Sequence, residues 1–227
     1  MRFGLASSGV PALDKLLGAD GYPDRSAVLV VGPPGIAKEA LGYWFTYSGL
    51  VQGDFCLYVT RVSVREVLRD QKAFGIDTGQ RVPLWMASEG GQVAYNVNDL
   101  ASLSFNIKEV LKKNSGRRIR IATDVLSPLL MLNPPDTVYR FLSQLFTDLK
   151  QYDAVLLATV EEGMHNPQAL TAMQQLFDGV VELKLYQEGL RLYSLLQIVK
   201  MRGVATQPGF YNFTLSRNGM EISEYAK

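Results

Sequence analysis

A chain of 227 residues with 47% hydrophobic content can bury a sizeable core, and its length suits one α/β domain better than two. Its 23 basic and 22 acidic residues leave a formal charge of +1, a balance that does not imply a dominant nucleic-acid or membrane surface and permits a local patch. Cys56 is the only cysteine and His165 the only histidine, so no internal disulfide can form, and a zinc site or a Cys-His nucleophile pair is disfavoured. Cys56 lies in the apolar run 55–59 and is expected to be a buried, reduced core thiol. The start, Met1-Arg2-Phe3-Gly4, carries no apolar signal core, and no run approaches about 18 uninterrupted apolar residues. A cytoplasmic protein is expected.

Taken in order, residues 10–17 predict a short helix stopped by Gly18, followed by a turn through Gly21-Tyr22-Pro23-Asp24. Residues 27–31, Ala-Val-Leu-Val-Val, make the continuous apolar run that a strand covered on both faces needs. The stretch Gly32-Pro33-Pro34-Gly35-Ile36-Ala37-Lys38-Glu39 comes next and leads into a helix ending near Leu50. It is close to the pattern G-x-x-x-x-G-K-[ST], in which glycines let backbone N–H groups curl round phosphate, lysine reaches the outer phosphates and a hydroxyl ligates Mg²⁺. Gly32, Gly35 and Lys38 are kept, but Ala37 stands for the second glycine, with a Cβ where backbone must approach phosphate, and Glu39 stands for the hydroxyl. A carboxylate about 4 Å from a phosphate charge repels it by roughly 4 kcal/mol at an effective dielectric near 20, unless a cation intervenes. A Gly/Pro-rich link between strand and helix is also an ordinary βα turn, so these eight residues alone leave both readings open.

Residues 55–60 predict a second buried strand and residues 64–74 a helix stopped by Gly75. Arg61, Arg65 and Arg69 recur every four residues and share one face if the helix begins early, as either solvated surface or a binding stripe. Residues 82–87 predict a third strand, Ser88-Glu89-Gly90-Gly91 a loop, and residues 100–113 a helix with Leu103, Ile107, Val110 and Leu111 at helical spacing. Residues 119–124 bring an apolar strand to Asp124 at its C-terminal end, the edge where open parallel sheets bind ligands. Asp124 is then an acidic metal-holding group of a P-loop site or the cap of segment 125–132. A helix over 137–150, a strand over 154–159 and a short helix over 170–177 follow. Residues 180–185 and 190–199 predict a hairpin turning through Tyr186-Gln187-Glu188-Gly189, and residues 211–215 and 220–222 a second through Arg217-Asn218-Gly219. With βα units first and antiparallel strands last, the chain predicts an α/β fold. Its mostly parallel central sheet carries helices on both faces and C-terminal antiparallel hairpins, in one domain over residues 1–227.

That order resembles the core of RecA-superfamily ATPases, and three stretches narrow the resemblance to the KaiC-like group. Ser8-Gly9-Val10-Pro11-Ala12-Leu13-Asp14-Lys15-Leu16-Leu17-Gly18 is similar to the family's opening, a short helix before the P-loop strand, and Phe55-Cys56-Leu57-Tyr58-Val59-Thr60 is similar to its second strand. Ile198-Val199-Lys200-Met201-Arg202-Gly203, with Pro208-Gly209-Phe210-Tyr211-Asn212-Phe213 after it, is similar to the family's lysine-x-arginine-glycine segment and following hairpin. The resemblance covers about residues 5–224, with the motifs in order, and implies a RecA-like fold, ATP with Mg²⁺ as ligand, and assembly with further copies or with a paralogue. The family's second strand ends in glutamates, one of which orients the attacking water; here Arg61 and Val62 hold those places, and the Ser63 hydroxyl is too poor a proton acceptor to substitute. Asp124 matches the aspartate that ends the family's metal-binding strand, Glu161 falls near an acidic position after the next strand, and Glu39 is a further candidate Mg²⁺ ligand. Lys200 and Arg202 match basic residues that reach across a subunit boundary toward a neighbour's nucleotide, or they are the polar face of a strand turning into a loop. The family's following histidine is missing, with Val204, Ala205 and Thr206 in that stretch.

Three functions compete on this basis. The leading one is a catalytically inactive or severely impaired KaiC-like homologue, acting without a cofactor as a scaffold or regulatory subunit. The second binds ATP or ADP through residues 32–39, with Glu39 and Asp124 on Mg²⁺, and hydrolyses slowly or not at all. The third is a recombinase-like DNA-binding accessory using Arg61, Arg65 and Arg69 or Arg117, Arg118 and Arg120, against which the near-neutral charge counts.

Overall fold

The computed structural model describes residues 4–18, 20–77, 83–87, 90–93, 95–96 and 99–225. Its elements in chain order are β1 (Leu5–Ala6), α1 (Pro11–Leu16), β2 (Tyr22–Pro23), β3 (Ala27–Gly32), α2 (Glu39–Gln52), β4 (Phe55–Thr60), α3 (Val64–Ala73), β5 (Leu84–Ala87) and α4 (Leu100–Lys113). There follow β6 (Ile119–Thr123), α5 (Leu126–Leu132), α6 (Pro135–Gln151), β7 (Ala154–Glu161), α7 (Pro167–Leu176), β8 (Gly179–Glu188), β9 (Arg191–Met201), β10 (Tyr211–Ser216) and β11 (Gly219–Glu224). The main sheet runs β11-β10-β9-β8-β3-β7-β6-β4-β5. Neighbours from β8 to β5 are parallel, and β8 to β11 form antiparallel hairpins.

The central strands are apolar because both their faces are covered. Along β3, Val28 and Val30 enter a core shared with α1, α2 and α3, while Leu29 and Val31 enter a second core under α4, α5, α6 and α7. Each such side chain contributes roughly 1.5–3 kcal/mol of burial, which pins the register of β3 and so the place where its following loop emerges. Two local devices fix the segments near that edge. Gly53 ends α2 in a left-handed conformation, and a capping box starts α3, with Ser63 Oγ accepting the Glu66 N–H while Glu66 accepts the Ser63 N–H at 2.9 Å.

The mostly parallel sheet with C-terminal hairpins agrees with the sequence expectation, and most differences lie at element ends. The first hairpin is longer than expected: Glu188 pairs with Arg191, so residues 186–188 continue β8. Helix α7 begins three residues before the expected 170–177 segment, where Asn166 caps it and Pro167 takes the first turn. Tyr22 and Pro23, expected as a turn, pair with β1. Val82, Ser88 and Glu89 of the expected third strand and loop lie outside the described residues, as does the Met1-Arg2-Phe3 start.

The basic cluster Arg117, Arg118 and Arg120 requires correction as a nucleic-acid surface. Arg120 is fully buried, Arg118 is held by the Leu5 carbonyl and Asp24, and the Arg117 guanidinium lies over the Phe55 ring. A strand residue alternates faces, so Arg120 points inward against α2. Cys56 is buried, donates to the Thr46 carbonyl at 3.3 Å, and has its thiol pushed up to about 12 by burial.

Candidate functional site

Strands β3, β4, β6 and β7 end at one edge of the sheet, at Gly32, Thr60, Thr123 and Glu161. The segments leaving those ends border a cleft of about 600 Å³. Lys38, Glu39, Arg61, Asp70, Asp124 and Glu161 supply its charged lining, and Tyr43, Val62, Phe74, Pro128, Met131 and Met164 much of its apolar wall.

Residues 32–39 form the loop between β3 and α2. Gly35 and Ala37 both have left-handed backbones, with φ of 82° and 56°. The turn at residue 37 is therefore the one a glycine would make, held by alanine against about 1–2 kcal/mol of steric cost. Ile36 is buried in the first core and anchors the loop. Lys38 is the N-cap of α2 and its side chain is 2% exposed, so its ammonium needs a counter-charge. Glu161 Oε2 lies 2.7 Å from Lys38 Nζ and Glu39 Oε1 lies 3.3 Å away.

Asp124 directly follows Thr123, the last residue of β6, beside the end of β4. Its Oδ2 accepts the Thr60 hydroxyl at 2.7 Å and its Oδ1 the Arg61 N–H at 3.2 Å. Burial pushes its carboxyl up from 3.8 to about 6; the Thr60 and Arg61 hydrogen bonds oppose the rise, and the negative charge of Glu39 adds to it. Arg61 is exposed at the cleft, whereas Val62 packs against the first core. Arg65 and Arg69 lie on the exposed face of α3, with Arg69 paired to Asp70 at 2.9 Å. All four carboxylates of the cleft are thus engaged: Glu39 and Glu161 by Lys38, Asp70 by Arg69, and Asp124 by Thr60 and Arg61. Among the described residues no group of three or more His, Cys, Asp or Glu side chains converges on a possible metal ion.

Residues 6–227 match the family model described as "ATPase: KaiC". The chain belongs to the KaiC ATPase family. This KaiC-family chain is 25% identical over 223 residues to circadian clock protein KaiC2 of Synechocystis, across 96% of its own length and 39% of that protein. It is 28% identical over 213 residues to circadian clock oscillator protein KaiC of Synechococcus elongatus, across 89% of its length and 41% of that protein. It is also 28% identical over 239 residues to a UPF0273 protein of Pyrobaculum aerophilum, across 95% of its length and 81% of that protein. The KaiC-family chain therefore spans about two fifths of the clock proteins it matches.

Of the residues singled out from sequence, the fold brings Ala37, Lys38, Glu39, Arg61, Val62, Asp124 and Glu161 to the one cleft. It places Lys200 and Arg202 elsewhere. Met201 pairs with Gly179, which in turn pairs with Val28 near the start of β3, so both basic residues sit at the sheet edge opposite the loop. There Lys200 Nζ donates to the Phe177 carbonyl at 2.6 Å and to the Gln175 carbonyl at 3.2 Å, closing the end of α7. Arg202 lies 3.3 Å from Asp178 with its side chain 61% exposed. Burial lowers the Lys200 pKa, the neighbouring Arg202 lowers it further, and Asp178 opposes both.

Three residues of the site were missed from sequence. Thr60 fixes Asp124, and Ser127 joins Glu161 to His165: Ser127 Oγ accepts the Glu161 N–H at 2.8 Å and lies 2.9 Å from His165 Nε2. Burial lowers the His165 pKa, against the opposing charge of Glu161. No spacing in the sequence signals a contact between residues 127 and 165; only the shared edge of β6 and β7 creates it.

Proposed function

We propose that this KaiC-family chain is a catalytically inactive or severely impaired ATPase homologue that acts as a scaffold or regulatory subunit, in an assembly with itself or with a competent paralogue. The observation that carries this reading is the cleft lining at the end of β4, where Arg61 and Val62 occupy the positions that match the family's glutamates and neither side chain can take a proton from water. The acting unit is one domain over residues 1–227, in a cytoplasmic setting; no helix among the described residues is long and apolar enough to cross a membrane. Lys200 and Arg202 serve a neighbouring subunit's cleft. The test is Mg·ATP turnover by the chain alone and mixed with a competent paralogue. The chain alone should show no turnover above buffer, and Arg202→Ala should change turnover in the mixture. Steady hydrolysis by the chain alone, lost in Lys38→Met, would refute the inactive reading.

A second reading is favoured by the loop itself: the chain binds ATP or ADP without efficient turnover. The left-handed backbones at Gly35 and Ala37 keep the curl that presents N–H groups to phosphate, and Lys38 is the N-cap of the following helix. Calorimetric titration with Mg·ADP tests it, with affinity weaker than about 1 mM as the refuting result.

A further inference from the structure

Glu161 is matched by nothing in the phosphate-loop pattern, yet it makes the shortest contact to the loop's lysine. Its carboxylate lies 2.7 Å from the ammonium of Lys38, which is 2% exposed, while Glu161 itself is 21% exposed. In a phosphate loop the ligand supplies the lysine's counter-charge; here the chain carries its own. The backbone of the same residue is tied down as well. Its N–H donates to Ser127 Oγ at 2.8 Å, and that oxygen lies 2.9 Å from His165 Nε2, on the segment between β7 and α7. One residue thus carries both the carboxylate at Lys38 and the backbone N–H on the Ser127–His165 contact.

We propose that Glu161 is a built-in stand-in for phosphate: a diphosphate group enters the loop by exchanging with the Glu161 carboxylate at Lys38, and the displaced residue reports its arrival to His165 through Ser127. The inference rests on the reading that the loop still accepts phosphate. It adds that affinity is set by an internal competitor and that occupancy has a readout outside the cleft. Two carboxylates crowd one ammonium, so a phosphate group that reaches Lys38 must displace one of them; Glu161 makes the shorter contact, 2.7 Å against 3.3 Å for Glu39, and is the closer competitor for the same position.

The probe is inorganic pyrophosphate, titrated calorimetrically without metal into the wild-type chain and its variants, each first shown to fold by thermal melting. Glu161→Gln should bind at least tenfold more tightly than wild type. Glu161→Asp, which keeps the charge and withdraws it from Lys38, should also bind more tightly. Glu162→Gln makes the same charge change one residue along and should stay within about threefold of wild type. His165 is the only histidine, so its imidazole proton resonance is a single reporter. Saturating pyrophosphate should shift it in wild type, and Ser127→Ala should bind pyrophosphate with that shift lost. Binding by wild type with no tightening in either Glu161 variant, equal tightening in Glu162→Gln, or an unmoved histidine resonance overturns the exchange alone. Folded variants that all fail to bind overturn the phosphate-binding reading together with it.

Discussion

Replacing Arg120 by methionine separates a structural clamp from a nucleic-acid contact. The guanidinium is fully buried and uses Nε on Asp54 at 2.7 Å, Nη1 on the Ser7 and Phe45 carbonyls at 2.7 and 3.2 Å, and Nη2 on Gln52 at 2.8 Å. It also lies over the Phe45 ring at 5.1 Å. Methionine fills much of the volume but leaves the Asp54 carboxylate, 13% exposed, without its cation, and removes the donors to the Ser7 carbonyl and to Gln52 Oε1. Breaking one side of such a buried pair costs about 3–5 kcal/mol, a large part of the roughly 5–15 kcal/mol that a domain has in total. In urea, with a slope of about 3 kcal/mol per molar, the unfolding midpoint should fall by roughly 1–2 M. The assay is urea denaturation followed by circular dichroism, with Arg117→Ala as the exposed comparison, expected within about 0.5 kcal/mol of wild type. A midpoint within about 0.3 M of wild type, accompanied by weakened and less salt-dependent DNA binding, would refute the clamp.

Asp124 makes stability fall with rising pH. Its folded carboxyl titrates at about 6 against 3.8 ordinarily, so the native state holds the proton more tightly than the unfolded chain and is destabilised as pH rises through that window. At about 1.4 kcal/mol per pH unit, wild type should lose up to about 3 kcal/mol between about pH 4 and 6 relative to Asp124→Asn, as measured by denaturation across pH; a flat difference would sink the argument. At the loop, Ala37→Gly relieves left-handed strain while loosening the unfolded chain, so the melting free energy should stay within about 0.5 kcal/mol of wild type. Gly35→Ala has open space around it and should lose about 1–2 kcal/mol through φ alone; an unchanged melt for Gly35→Ala would show that the loop backbone differs. Cys56 should resist a thiol reagent at pH 8 in the native state and react once urea unfolds the chain, since burial keeps it protonated.

The parallel core was legible because a strand covered on both faces writes itself as a continuous apolar run, as in residues 27–31 and 55–59. The loop was legible because left-handed turns and a lysine at fixed offsets leave local marks. Ala37 was expected to intrude toward phosphate; its φ of 56° is a backbone fact that an alanine letter conceals. Pairing between distant segments left no such mark. Arg118 and Arg120 look alike beside Arg117, yet strand alternation and the packing of α2 send Arg120 into the interior. Ser127, Glu161 and His165 meet only because β6 and β7 are neighbours in register.

The positions of Lys200 and Arg202 constrain any action on a nucleotide. Met201, between them, is level with Val28 through Gly179, and the loop lies beyond Gly32, four residues on, or about 13 Å at roughly 3.3 Å per residue. Neither side chain reaches the cleft of its own chain, so a role there requires a neighbour stacked head to tail, whose loop edge faces this chain's opposite edge. The two residues, alike in sequence, then differ in readiness. Lys200 closes the end of α7 through two carbonyls and cannot leave without exposing them, whereas Arg202 holds Asp178 through one exposed contact of a kind worth little in water. Asp178 also accepts the Ala27 N–H at 3.1 Å and keeps that bond if Arg202 departs. In the proposed assembly Arg202 is therefore the residue expected to be recruited, while Lys200 stays on the Gln175 and Phe177 carbonyls at the end of α7.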